Sequence, residues 1–221
     1  MNLSNYKYTA EAADGDIRLI LTHILDCHKL MIVENRKVKN DEDTIRYILT
    51  EDYLMNPKVR KKLGISLSGY LFQPEAPIIN DTYKAVGWID IKVFLPSQIE
   101  DDQKALYFIE CKRLDGKSKL NKYYVEGGIL RFIENKYQTF FGSNGMLAFC
   151  VAPFNVEANT LKINKYINNL CKENTEKVLA KNDFLDDEAN TYLSQHWLAA
   201  TPVEKFSLYH LMLDFSPMIE K

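Results

Sequence analysis

Beyond Asp16 the apolar residues Ile17, Ile20, Leu21, Ile24 and Leu25 recur at i, i+3, i+4, i+7 and i+8, the stripe of an amphipathic helix that Asp14 or Asp16 would cap. A second helix is predicted over 40–54, with Ile45, Ile48 and Leu49 inward, Asn40 or Asp41 as cap and Pro57 beyond its end. The basic run 57–62 (PKVRKK) reads as a solvated face. After Gly64 the period changes to that of strands, expected at 67–72, 85–95 and 105–112. The polar stretch PSQIEDDQK joins the last two as a hairpin, so they should run antiparallel. Helical spacing returns over 120–137. The unbroken apolar run 146–152 (MLAFCVA) suits a strand buried on both faces. Residues 156–171 read as a helix and 206–215 as a final strand, with His210 alternating with Leu208 and Met212 as a core or edge residue.

This order predicts an α/β fold: a mixed central sheet flanked by helices, with N- and C-terminal additions. The 221 residues contain no repeat, low-complexity tract or Gly/Ser-rich linker, so one domain over 1–221 is expected, with a core at about 40–152 and an elaboration at about 153–221. Hydrophobic residues at 46% and charged residues at 26% are those of an ordinary folded chain. A net charge of -2 excludes binding of polyanions through overall charge, leaving that role to local patches. Cys27, Cys111, Cys150 and Cys171 form no CxxC pair, which fits free thiols in a reducing compartment. His23, Asp26, Cys27 and His28 cluster in sequence, but nothing further supports a metal site there. With no apolar segment long enough for a signal peptide or membrane span, the expected location is the cytoplasm, with no membrane partner.

The chemistry concentrates in two short segments. Gly87-Trp88-Ile89-Asp90 is followed, twenty residues after the aspartate, by Ile109-Glu110-Cys111-Lys112. Alternation puts Glu110 and Lys112 on one face at the end of an apolar strand, where a carboxylate is costly unless paired or metal-bound. In the proposed hairpin Asp90 approaches Glu110. Asp90, Glu110 and the backbone carbonyl of Cys111 are hard oxygen ligands suited to Mg²⁺, with Mn²⁺ an alternative. Lys112, beside two carboxylates, favours its charged form and would orient water or stabilise the transition state rather than act as a base. The pair Asp90 and Glu110 is also expected to repel without a cation, so Glu110→Ala should leave metal-free stability unchanged or higher. Two other matches are weaker: Glu134-Asn135-Lys136 falls in a predicted helix and Asp115-Gly116-Lys117 in a turn.

At Asp90, Glu110 and Lys112 the chain resembles the PD-(D/E)XK nuclease superfamily, whose signature is an Asp on one strand and an E-x-K on the next. The predicted order from about residue 40 to 152 resembles its restriction-endonuclease-like α-β-β-β-α-β core, about half of the chain. Ile89 stands where that pattern carries Pro. The resemblance implies a metal-dependent nuclease that hydrolyses phosphodiester bonds of nucleic acid, with DNA the expected substrate and a homodimer compatible. A catalytically silent binding or interaction module of the same fold is the alternative. Many members place an acidic residue on the first core helix facing the metal; Glu42, which shares the face of Ile45 and Leu49, is the candidate here, and Glu51 the alternative. The segment 112–122 carries five basic residues against one acid, so Arg113, Lys117, Lys119 and Lys122 are candidate backbone contacts. Arg131, on the face of Tyr124 and Gly128, would reach a scissile phosphate or pair with Glu110 or Asp90.

Overall fold

The computed structural model describes residues 10–65, 69–79, 84–94, 106–137, 142–185, 189–201 and 204–220. Seven strands form one mixed sheet: β1 (Leu71–Ile79), β2 (Ala85–Phe94), β3 (Leu106–Leu114), β4 (Ser143–Cys150), β5 (Thr175–Lys181), β6 (Asn190–Trp197) and β7 (Lys205–Asp214), in spatial order β1-β2-β3-β4-β7-β6-β5. β1, β2 and β3 are an antiparallel meander. β4 is parallel to β3 and to β7, and β6 and β5 add antiparallel pairs beyond β7. The hairpin expected between 85–95 and 105–112 is present as the β2–β3 pair, while its loop lies outside the described residues.

Helices cover both faces. On one side lie α1 (Ala10–Val33), α2 (Glu42–Tyr47), which continues through a widened π-type turn at Ile48–Leu54, and α3 (Pro57–Lys62). Ile17, Ile20, Leu21 and Ile24 of α1 pack there with Ile45 and Leu49 against Ile91, Val93, Ile109, Leu147 and Leu211. On the other side α4 (Ser118–Tyr124), a second widened turn at Val125–Ile129, α5 (Leu130–Ile133) and α6 (Val156–Leu170) cover Phe108, Met146, Ala148, Leu208 and Met212. All eight residues of β4 are buried, and residues 146–150 alternate between these two cores, as the apolar run required, although the strand spans Ser143–Cys150 rather than 146–152. All four cysteines are buried free thiols.

Several expectations are corrected. The first strand occupies Leu71–Ile79 rather than 67–72, with residues 67 and 68 outside the described residues. β1 contains Pro74 and Pro77, which an edge strand accommodates because its outward-facing positions need no N–H partner. The helix expected over 120–137 is broken: Gly127 and Gly128 lie in the widened turn, and Asn135 ends the segment at φ 55°. A Cβ on Gly128 would stand 2.6 Å from the Met146 side chain, so glycine lets this turn approach the sheet beside Lys112. β5 and β6 were not anticipated. The run 57–62 is not wholly solvated, since Arg60 is buried and donates to the Tyr70 carbonyl at 3.2 Å.

The C-terminal half carries a buried polar chain. Tyr124 Oη lies 2.9 Å from His210 Nδ1, His210 Nε2 lies 2.8 Å from Ser194 Oγ, Ser194 Oγ lies 2.8 Å from His196 Nε2, and His196 Nδ1 lies 3.0 Å from Thr175 Oγ1. Thr175 donates its hydroxyl proton to the Cys171 carbonyl at 2.8 Å. Each hydroxyl has one proton, so that last bond fixes all the others. His196 must donate from Nδ1 and accept from Ser194; Ser194 must then accept from His210 Nε2, and His210 Nδ1 accepts from Tyr124. Burial holds both imidazoles neutral, with pKa values lowered to about 3.

Candidate functional site

The site forms where β2 and β3 separate. Their ladder ends at Ile91↔Ile109. One residue further, alternation is interrupted in two strands at once. Phe72 and Ala76 of β1 face opposite cores, as do Ile91 and Ile89 of β2, although each pair is an even number of residues apart. Glu75, with φ 48°, and Asp90 occupy the matching positions between the pairs Pro74↔Ile91 and Ala76↔Ile89. This shared irregularity carries Asp90 over the strand gap, where its Oδ2 accepts the N–H of Cys111 at 2.7 Å.

Alternation along β3 sends Glu110 and Lys112 to the α4 side, both almost fully buried, while Cys111 enters the opposite core. Lys112 Nζ donates to Glu110 Oε1 at 2.7 Å, to the Cys111 carbonyl at 2.7 Å and to Glu42 Oε1 at 3.1 Å, and lies 3.6 Å from Asp90 Oδ2. It also stands 5.5 Å from the centre of the Tyr123 ring. Glu42 reaches the cluster from the first turn of α2. Asp41 caps this helix by accepting the Thr44 N–H at 2.9 Å, and the other oxygen of Glu42 accepts the Arg113 N–H at 3.0 Å. Glu51 sits instead in the widened turn, half-buried.

Two arginines complete the charge pattern. Arg46 is buried and bonds to both Asp90 Oδ1 and Glu75 Oε1, with Asp43 Oδ1 at 3.0 Å. Arg131 donates to Glu110 Oε1 at 3.1 Å and to Tyr137 Oη at 2.8 Å, and Tyr137 in turn donates to Glu110 Oε2 at 2.7 Å. Burial pushes the Glu110 carboxyl up to about 7, against the pull of Lys112. Burial also works against the Lys112 ammonium, but Glu110, Asp90 and Glu42 outweigh it and raise its pKa, so this lysine is charged. The expected repulsion between Asp90 and Glu110 is present, since Asp90 adds to the rise of the Glu110 carboxyl, but it does not act alone. Arg46 and Arg131 supply positive charge beside Lys112, and Glu110 accepts from Lys112, Arg131 and Tyr137, so its removal takes one bond from each of them and is expected to cost stability.

The structure thus brings Asp90, Glu110, Lys112, the Cys111 carbonyl and Glu42 together, and joins Arg131 to them through Glu110. The remaining basic candidates lie to one side. Arg113 is tied to Asn40 by hydrogen bonds of 2.6 Å and 2.9 Å, Lys122 pairs with Glu126 at 3.2 Å, and Lys117 and Lys119 are exposed. Arg46, Glu75 and Tyr137 are additions that the sequence reading missed. Arg46 was findable, because it follows Glu42 by four residues and so shares its helical face. No pattern pointed to Tyr137, whose position depends on the turn at Asn135.

Among the described residues, no three Asp, Glu, His or Cys side chains meet at metal-ligand spacing. The oxygens are arranged around an ammonium group at hydrogen-bond distances, wider than the roughly 2 Å of Mg²⁺ coordination. An open cleft of about 260 Å³ leads to Asp90, lined also by Arg46, Glu75, Trp88 and Ile89. No described helix is long and apolar enough to cross a membrane. No family model, curated protein or solved structure matches this chain.

Proposed function

We infer that the chain is a metal-dependent nuclease with a restriction-endonuclease-like core of the PD-(D/E)XK type. One observation carries this reading: oxygens from Asp90, Glu110, Cys111 and Glu42, contributed by two strands and a helix, converge within 3.6 Å of a single cationic centre. The order α2, β1, β2, β3, α4, β4 around it, with β4 parallel to β3, supports the same reading. The donor set is all hard oxygen, which suits Mg²⁺ or Mn²⁺ held by Asp90, Glu110, the Cys111 carbonyl and Glu42 once Lys112 turns aside. Such an ion, when bound, supplies phosphate polarisation and acidification of water.

The chain's own groups have separable tasks. Arg46 and the Cys111 N–H fix the two oxygens of Asp90. Arg131 and Tyr137 orient Glu110. Lys112, charged and with three donors, would hold the attacking water or the developing charge on phosphorus; its raised pKa makes it a poor proton acceptor. Lys117 and Lys119, exposed to one side of the cluster, are the proposed contacts to the nucleic-acid backbone, with DNA the proposed substrate and a homodimer the proposed assembly.

A second reading has an observation of its own. Lys112, Arg46 and Arg131 balance Asp90, Glu110 and Glu42 without any metal, as a silent module retaining the fold would require. Incubation of the protein with single- and double-stranded DNA and RNA, with Mg²⁺ or Mn²⁺ and with chelator, separates the two. The nuclease reading expects divalent-dependent cleavage that Glu110→Gln abolishes. Lack of cleavage of every substrate, or equal cleavage by the variant, would leave the silent module.

A further inference from the structure

Trp88 is 61% exposed, although burying an indole is among the larger stabilising contributions a side chain makes. Its backbone is nonetheless fixed to the site. Trp88 pairs across the sheet with Pro77, and its carbonyl lies 3.4 Å from the Tyr137 hydroxyl, whose single proton goes to Glu110. Two residues of strand, about 7 Å, separate it from Asp90, a distance comparable with that from a phosphate to its own base. Its side chain lines the cleft shared by Arg46 and Asp90. On the other side of the cluster Tyr123 is 45% exposed, against Lys112. Two aromatic faces therefore flank the carboxylates, one on β2 and one on α4, the helix that also carries Lys119 and Lys122.

We propose that Trp88 is a stacking platform for an unpaired base, so that the site takes single-stranded nucleic acid with its backbone at the Asp90–Glu110 cluster and a neighbouring base on the indole. The proposal deepens the nuclease reading and rests on it for the nature of the ligand. An unpaired base offers its face to an aromatic ring, whereas bases within a duplex are already stacked. Occupancy by an added strand from another protein is opposed by the edge itself, because Pro74 and Pro77 remove two backbone donors from β1. Among the described residues that line the cleft with Trp88, Arg46 and Glu75 bind each other and Arg46 also holds Asp90, so stacking should be tolerant of base identity.

Of the two tryptophans, Trp88 and Trp197, the second stacks on Lys205 in β7, and Trp197→Phe leaves Trp88 as sole reporter. This variant is titrated with a 12-nucleotide oligothymidylate and with a blunt hairpin duplex in Ca²⁺ buffer, the integrity of each being checked on a gel. The expected result is quenching by the single strand and little by the duplex. In the wild-type background, Trp88→Ala should weaken single-strand binding at least about fivefold with an unchanged melting temperature, while Trp88→Phe stays within about twofold. Equal affinity of Trp88→Ala and wild type, absence of single-strand binding, or equal quenching by duplex would overturn the proposal. Binding that depends on Trp88 without cleavage in Mg²⁺ would sink the nuclease reading alone. Cleavage with a KM indifferent to Trp88 would sink the stacking platform alone.

Discussion

The carboxylate of Asp90 accepts the backbone N–H of Cys111 at 2.7 Å, replacing a strand partner at the point where β2 and β3 part. Cys111 is fully buried, so this N–H has no access to water. Asp90→Ala should therefore lower stability by about 2–3 kcal/mol, the cost of an orphaned buried donor together with a weakened Arg46. Asp90→Asn, which keeps an acceptor, should lose about 1 kcal/mol. Urea unfolding of the three proteins tests this; an Ala variant as stable as wild type would mean that the bond contributes nothing.

Glu110 has more to lose. Lys112, Arg131 and Tyr137 all donate to it, and Lys112 is almost fully buried. Breaking such a network from one side costs on the order of 3–5 kcal/mol, so Glu110→Ala should melt well below wild type without metal. Wild type should gain about 2.7 kcal/mol at free Mg²⁺ 100 times its dissociation constant, and the variant little. Equal metal-induced shifts in both proteins would remove Glu110 from the cation site.

The buried chain in the C-terminal half makes a spectroscopic prediction. Nitrogen-15 NMR should find His210 protonated at Nε2 and His196 at Nδ1, because the Thr175 bond to the Cys171 carbonyl admits no other arrangement. Ser194→Ala removes the shared partner of both rings and should cost about 2–3 kcal/mol. The opposite tautomer at either ring would refute the donor order.

Acid should unfold the protein steeply. His28, whose Nε2 lies 3.0 Å from the Asp214 carbonyl, has its pKa lowered by burial to about 4, and His196 and His210 are lowered to about 3. These depressed values mean that the unfolded chain binds protons the folded one does not, so this stability is present above pH 6.5 and is lost as pH falls. Glu110, raised to about 7 by burial, works the other way between pH 7 and 4.5 and offsets one histidine. These four groups alone differ by about two protons, roughly 2.7 kcal/mol per pH unit near pH 5.5, to which His23, also lowered by burial, adds and Asp16, raised by burial, subtracts. Unfolding free energies at pH 7, 6 and 5 measure the slope, and a flat profile would show that the imidazoles are not held neutral.

Strong periodic signals were read correctly and positional irregularities were not. The stripe of α1 and the solid apolar run of β4 depend only on local spacing, which is why both emerged from the sequence. β1 was misplaced because its alternation is broken at Glu75 and because the edge position that accommodates Pro74 and Pro77 is set by the sheet, not by local spacing. Gly127 and Gly128 are poor helix formers, which suits close packing on the sheet as found against Met146, but the widening of the helix there is set by that packing and not by local spacing. At the site, Asp90, Glu110 and Lys112 were legible as charges in apolar strands, and Glu42 through its helical face. Arg46 shares that face and was open to the same reading, but its partners were not legible, since only the shift at Glu75 and Asp90 brings two carboxylates to it.

Met146 has a consequence for how the two polar systems communicate. In one row across the sheet it pairs with Glu110 on β3 and with His210 on β7. On one side stands a charged network, on the other a neutral relay of hydroxyls and imidazoles, and the residue between them has a thioether that neither donates nor carries a proton. Met146 is thus an insulator. Protonation of the histidines and occupation of the carboxylate site should behave as separate events, and a polar residue in its place would wire the two circuits together.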